Sequence, residues 1–358
     1  MEISIEMLLT EFRKTNFESI IHCPDRTKTV RSIRLFSGTE SEYEKNCLYV
    51  INDTDDSENS LCNHTANFPN GKEYTCLFIV SSSKEQNLFP FEIRTGLAFA
   101  DVYNHLQDCF FRFEQWHNRL SLAVLSEAPF QEFIDISEDI IRSPMLLFDP
   151  SLKLMAHTKK QTAATDDLYQ QCISSGYLEY EAFQYFSKDH LLDELEEKGA
   201  VQGSGDLPFR KSADYIRTIR IGNELAVYCI FLYNECLSKE YSHRVFQILC
   251  DHIQQLLEKQ RRDFTKGRTI SDYLLEEILN TPSMSEEQIM QRTAYSDLSY
   301  TGNYILISLH FLPGSDASNH YFIWALRNEM ISCRVFPYQD NIIILYSLPK
   351  FQKLRKNQ

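Results

Sequence analysis

Two pairs of short apolar runs constrain this chain more than any other feature. Met145-Leu146-Leu147-Phe148 and Lys153-Leu154-Met155-Ala156-His157 flank an Asp149-Pro150 turn, and Tyr215 to Ile221 and Leu225 to Tyr233 flank Gly222-Asn223. Runs of this length bounded by turn residues read as strands, and a Gly-Asn loop tolerates the positive φ of a tight hairpin. Between the hairpins, Asp166 to Lys198 is polar and helix-favouring, carrying Tyr169, Tyr177, Tyr180, Phe183, Tyr185 and Phe186. After them, Lys239 to about Arg262 places Val245, Phe246, Leu249, Ile253, Leu256 and Leu257 at helical spacing. Hairpin, helices, hairpin and long helix together predict an antiparallel sheet with helices laid over it.

The segment before it divides in two. Up to residue 93 the pattern is mixed α/β: Ile5 to Phe12 has helical spacing. Cys47-Leu48-Tyr49-Val50-Ile51 and Cys76-Leu77-Phe78-Ile79-Val80 suit strands buried on both faces. Asn52 to Gly71 is polar and reads as a loop. From 94 to 142 the pattern is helical. Phe99, Val102, Leu106, Phe110, Phe113, Trp116, Leu120 and Val124 form one apolar stripe, long enough to pair with a second copy or to pack on its own domain. Phe130, Phe133, Ile134, Ile140 and Ile141 make a shorter amphipathic run.

After the middle segment (143–262), residues 263–358 predict a helix over Ser271 to Leu279 ended by Thr281-Pro282. A strand Tyr304–Leu309, a helix Tyr321–Met330 and the hairpin Cys333–Phe336 / Ile342–Tyr346 follow. The order β-α-β-β is the first half of a ferredoxin-like or cyclase-like fold. A half-sheet leaves an open edge, so a chain shorter than its complete relatives is expected. The fold class is therefore α/β (α+β) and multidomain.

Composition narrows function. The 358 residues carry 50 acidic against 36 basic side chains, a net charge of -14, which argues against a broad phosphate-binding surface. No stretch has the apolar length of a membrane span, and Met1 to Glu6 does not open a signal peptide. The ten cysteines are scattered with no Cys-x-x-Cys, several inside apolar runs, which predicts free buried thiols in a reducing, cytoplasmic setting. The sequon Asn63-His64-Thr65 then has no role. No phosphate-loop, nucleophile-elbow or zinc-protease string occurs. Gly203-Ser204-Gly205-Asp206 is read as a flexible loop, the histidines lack ligand spacing, and Asp193 to Glu197 is read as a solvated helix face. No metal, cofactor or catalytic residue is expected.

The middle segment resembles PAS- or GAF-like domains, in which sheet and helices enclose a small pocket. Ile270-Ser271-Asp272-Tyr273-Leu274-Leu275-Glu276-Glu277-Ile278-Leu279 followed by Tyr304-Ile305-Leu306-Ile307 resembles the start of the GGDEF-like domain of PucR/CdaR-type regulators. Asp139 to Asp149 is similar to the entry of their sensors, and the first region is loosely similar to their amino-terminal domain. The resemblance implies a bacterial, ligand-sensing transcription regulator, homodimeric, that reaches DNA only through a C-terminal helix-turn-helix. Nothing after Tyr346 supplies that element. A working cyclase carries Gly-Gly-Asp/Glu-Glu-Phe in the hairpin where this chain reads Phe336-Pro337-Tyr338-Gln339-Asp340-Asn341. That hairpin has no glycine pair for phosphate approach and no paired acids for Mg²⁺, so an enzyme is not expected.

Two sets of residues are candidates. Strand alternation puts Tyr215, Arg217 and Ile219 on one face and Ile216, Thr218 and Arg220 on the other. An arginine turned into an aromatic cavity would hold a carboxylate or phosphate, making Tyr215, Arg217, Arg220, Tyr228 and Tyr185 the candidate effector site. The competing reading has both arginines facing solvent. Leu106, Phe110, Phe113, Leu249, Ile253 and Leu256 are the candidate dimerisation residues. An interaction or scaffold protein of PAS/GAF-like fold with no ligand is the alternative function.

Overall fold

The computed structural model describes residues 1–14, 19–36, 44–53, 75–81, 91–150, 152–163, 166–178, 191–203, 213–221, 224–260, 270–294, 296, 298–299, 301–310, 326, 330, 333–339 and 341–348. The architecture is mixed α/β and multidomain. The chain forms two compact units, one of Met1–Ser126, Ile136–Arg142 and Asn234–Leu249, the other of Glu127–Asp135, Ser143–Tyr233 and Cys250–Gln358.

In the first unit, β1 (Ile3–Ser4) leads into α1 (Ile5–Phe12), where Ser4 Oγ accepts from the Met7 amide as N-cap. β2 (Ser19–His22), β3 (Thr29–Val30), β4 (Ser32–Leu35), β5 (Cys47–Asp53), β6 (Thr75–Ser81) and β7 (Glu92–Thr95) follow. Strands β4 to β7 run parallel to their neighbours, with β2 antiparallel on the far edge, giving the order β2-β7-β6-β5-β4. Leu48, Val50, Leu77 and Ile79 are fully buried, as continuous apolar runs in a parallel sheet require.

The long helix α2 spans Phe99–Leu125, later than the sequence pattern suggests, because Glu92 to Thr95 complete β7 before Gly96. Its stripe of Val102, Leu106, Phe110, Phe113, Trp116 and Leu120 is buried within the chain. His105 Nε2 lies 3.2 Å from the Phe12 carbonyl, and Trp116 Nε1 donates to Ser137 Oγ of α3 (Phe130–Ile141) at 3.0 Å. Glu11, only 3% exposed, is met by Lys14 at 2.5 Å, Arg112 at 2.7 Å and Arg142 at 3.9 Å. Arg142 also covers the Tyr241 ring at 5.3 Å, and Tyr241 Oη donates to the Ile140 carbonyl at 2.7 Å. Burial pushes the Tyr241 phenol up to about 12.

In the second unit, β8 (Met145–Phe148), β9 (Leu154–His157), α4 (Asp167–Ser175), α5 (Leu191–Lys198), β10 (Ala200–Gly203), β11 (Asp214–Ile221) and β12 (Glu224–Leu232) follow in order. They build one antiparallel sheet, β10-β11-β12-β8-β9, the hairpin–helices–hairpin arrangement that the sequence predicts. Gly222 and Asn223 lie outside the described residues; Ile221 stands opposite Glu224 at the end of the β11–β12 ladder. α6 (Lys239–Gln260) comes next, its residues shared between the two units.

The last part holds α7 (Ile270–Asn280), α8 (Glu286–Thr293), β13 (Asn303–His310), β14 (Cys333–Tyr338) and β15 (Asn341–Leu348). β15 is inserted between β13 and β14, the split antiparallel pattern of a ferredoxin-like half. The sequence reading missed α8, a short helix with a complete capping box between Ser285 and Gln288. Most of the helix expected over Tyr321–Met330 lies outside the described residues. Among the described residues β13 pairs only with β15 and exposes Ile305, Leu306, Ile307 and Leu309.

Candidate functional site

The sheet of the second unit has two working faces, and the register assigns each residue to one. Ile216 stands opposite Ile230, which stands opposite Leu146; all three are buried with Leu168, Tyr169, Cys172, Leu195 and Val201 of the helical side. Tyr228 packs partly buried on this core. One register step away, Arg217 stands opposite Cys229, and both meet α6: Arg217 Nη2 lies 3.5 Å from Asp251 Oδ1, and the Cys229 thiol is hydrogen-bonded to Cys250. Tyr215, opposite Phe231, shares that face by alternation.

The structure therefore does not gather the candidate effector residues. Tyr228 belongs to the helical core, while Tyr215 and Arg217 belong to the α6 side. Arg220, half-buried, follows a register shift between Ile219 and Arg220, so simple alternation fails there. Tyr185 lies outside the described residues. Arg217 is half-buried and paired with Asp251.

The candidate dimerisation residues are a second correction. Leu106, Phe113, Leu249 and Ile253 are 0% exposed and Phe110 and Leu256 nearly so, because the chain's own elements cover them. A second copy cannot reach this stripe in the folded chain.

On the α6 face, the Cys229 thiol is held above the usual range by its hydrogen bond with Cys250 and by burial. Burial pushes the Tyr233 phenol up to about 12, with Tyr215 and Asp214 adding to the rise. Both groups stay protonated at neutral pH and offer neither base nor nucleophile. On the helical face Tyr169 and Thr158 form a hydroxyl hub. Tyr169 Oη lies 3.0 Å from Thr158 Oγ1, and Thr158 Oγ1 donates to the Gln161 carbonyl at 2.6 Å while accepting from the Met145 amide at 3.0 Å. Each buried polar atom of the hub has a partner, which fixes the end of β9 against β8 and α4.

Four residues that sequence reasoning passed over form the best-organised polar site. Lys153, immediately before β9, bridges Tyr177 just beyond α4, and Leu152, Leu154 and Leu178 beside them belong to the helical core. Lys153 Nζ reaches Glu277 of α7 at 3.1 Å, and Arg292 of α8 reaches the same carboxylate at 2.6 Å. The Arg292 guanidinium lies 5.8 Å from the Tyr177 ring centroid, and Tyr177 Oη donates to Gln291 Oε1 at 3.3 Å. Arg292 is 3% exposed. A buried arginine is thus tied at one end to the α7–α8 pair and at the other to the sheet domain. No spacing in the sequence announces this site, because its members come from four separate elements.

Among the described residues no group of three His, Cys, Asp or Glu side chains could hold a metal ion, and no helix is long and apolar enough to cross a membrane.

The class that fold and site define is a multidomain mixed α/β protein whose antiparallel-sheet domain is bonded to a second α/β segment. No protein-family model matches the chain, and no curated protein matches it. Among solved structures it is similar to that of Myxococcus xanthus MglB, at 11% sequence identity, over 36% of this chain and 88% of that one, with a TM-score of 0.26.

Proposed function

We propose that this chain is the effector-sensing portion of a cytoplasmic transcription regulator of the PucR/CdaR type, acting as a homodimer and without catalysis. Its effector is a small molecule taken up by the sheet domain, and its contacts with DNA belong to a C-terminal helix-turn-helix that residues 1–358 do not carry. The observation that carries this reading is the junction of Lys153, Tyr177, Glu277 and Arg292. A sensing domain needs a physical tie to what it controls, with different bonding in its two states. Here the core under α4 and α5 reaches the α7–α8 pair through residues adjacent to Leu152, Leu154 and Leu178.

Thermal unfolding of the full chain against a library of small carboxylates, phosphates and nucleobases tests it. A compound bound only by the native state raises the transition in proportion to RT ln(1 + [L]/Kd). The expected result is at least one compound with a saturable shift that is lost on substitution in the sheet domain. No shift across the library supports the second reading, a scaffold protein with no ligand, which the closed hydroxyl hub at Tyr169 and Thr158 favours.

A further inference from the structure

α2 buries one stripe and turns another outward. Phe111 is 57% exposed, Leu122 63% and Leu125 69%, with Gln115 and Asn118 exposed between them. These positions step by four, three, four and three residues, the a/d spacing of a two-stranded coiled coil. None of the five is charged. Three large apolar side chains along one line of a solvent-facing helix mark a contact surface rather than scattered exposure.

The flanking charges choose the occupant and its direction. With Leu122 at a and Leu125 at d, Glu114 falls at g, and Arg112 and Arg119 fall at e. In a parallel pair, g of one helix faces e of the next heptad on the other, so Glu114 meets Arg119 of the second copy, and the two-fold axis makes the contact twice. In an antiparallel pair e faces e, setting arginine against arginine. Arg112 is already bonded to Glu11, but among the described residues neither Glu114 nor Arg119 is in an ion pair. Upstream, the next a position is Asp108, where two copies would set carboxylate against carboxylate, so the seam stops at Phe111.

We propose that two copies of this chain pair in parallel through the outward face of α2 from Phe111 to Leu125. The proposal rests on the homodimer of the functional reading and supplies the surface that the buried stripe does not. Gln115 and Asn118 in the seam would fix the register at some cost in affinity.

Sedimentation of the full chain reads the mass, expected at twice 42.0 kDa. Leu122→Glu is expected to give a single-chain mass with unchanged circular dichroism, because Leu122 packs on little within its own chain. Glu114→Arg is expected to weaken pairing at least tenfold, and Glu114→Arg with Arg119→Glu to restore it. A monomeric native chain overturns both the seam and the homodimer reading. A dimer that survives Leu122→Glu and Glu114→Arg overturns the seam alone, and loss without restoration in the double variant overturns the parallel register.

Discussion

Glu277→Gln isolates the junction from everything around it. The substitution keeps shape and removes one charge, leaving the guanidinium of Arg292 buried at 3% exposure without its counter-ion. Removing one partner of a buried pair costs about 3–5 kcal/mol, most of it the stranded charge. Lys153 is a contrasting control: its side chain is 44% exposed, and a pair of that kind contributes only about 0–1 kcal/mol. Hydrogen exchange followed by mass spectrometry reads the effect where it acts, since a chain of two units need not unfold in one step. At about 1.4 kcal/mol per tenfold, Glu277→Gln accelerates amide exchange in α7 and α8 by roughly two to three and a half orders of magnitude. Lys153→Met accelerates it less than about tenfold. Equal and small effects from both would mean that Arg292 is solvated in the native chain, and the junction would lose its role.

Other expectations follow from the same structure. Glu11→Gln strands Arg112, Arg142 and Lys14 around a neutral amide and lowers the stability of the first unit by about 3–5 kcal/mol, read as exchange in α1 and α2. Burial, with Lys239 adding, holds the His243 imidazole below its ordinary 6.5. The folded chain therefore binds fewer protons there than the unfolded one, so this contribution is present above about pH 6.5 and is lost as pH falls through the folded value. His243→Asn should flatten that part of the pH dependence of thermal unfolding. Alkylation of the native chain at pH 8, mapped by peptide mass, should label exposed Cys236 and spare Cys109, Cys229 and Cys250; burial pushes the Cys109 thiol up to about 12.

Element order was largely legible in the sequence, because turn residues and apolar runs are local signals. The strands at Cys47 and Thr75, both hairpins of the sheet domain and the three-stranded order around β15 follow from them. Faces were less legible. Whether the stripe at Leu106 and Phe113 meets a second copy or the chain itself depends on β4, α1 and α3, which the helix's own sequence does not encode. The register shift at Ile219 leaves no residue signature, so the side on which Arg220 emerges could not be read. α8 carries a capping box but only two apolar residues in its turns, too few to show periodicity. Charged residues face solvent as a rule. Glu11 and Arg292 break it because their partners are distant in sequence and near in space.

If the proposed function holds, occupancy of the sheet domain is felt in α7 and α8 through Lys153 and Tyr177. It is tested most directly by difference hydrogen exchange on the full chain with and without a compound that raises its melting temperature. The expected result is altered protection in β9 and α4 together with α7 and α8, with the latter change abolished by Tyr177→Ala. Protection that changes only around the sheet, or a change in α7 and α8 that survives Tyr177→Ala undiminished, would contradict it.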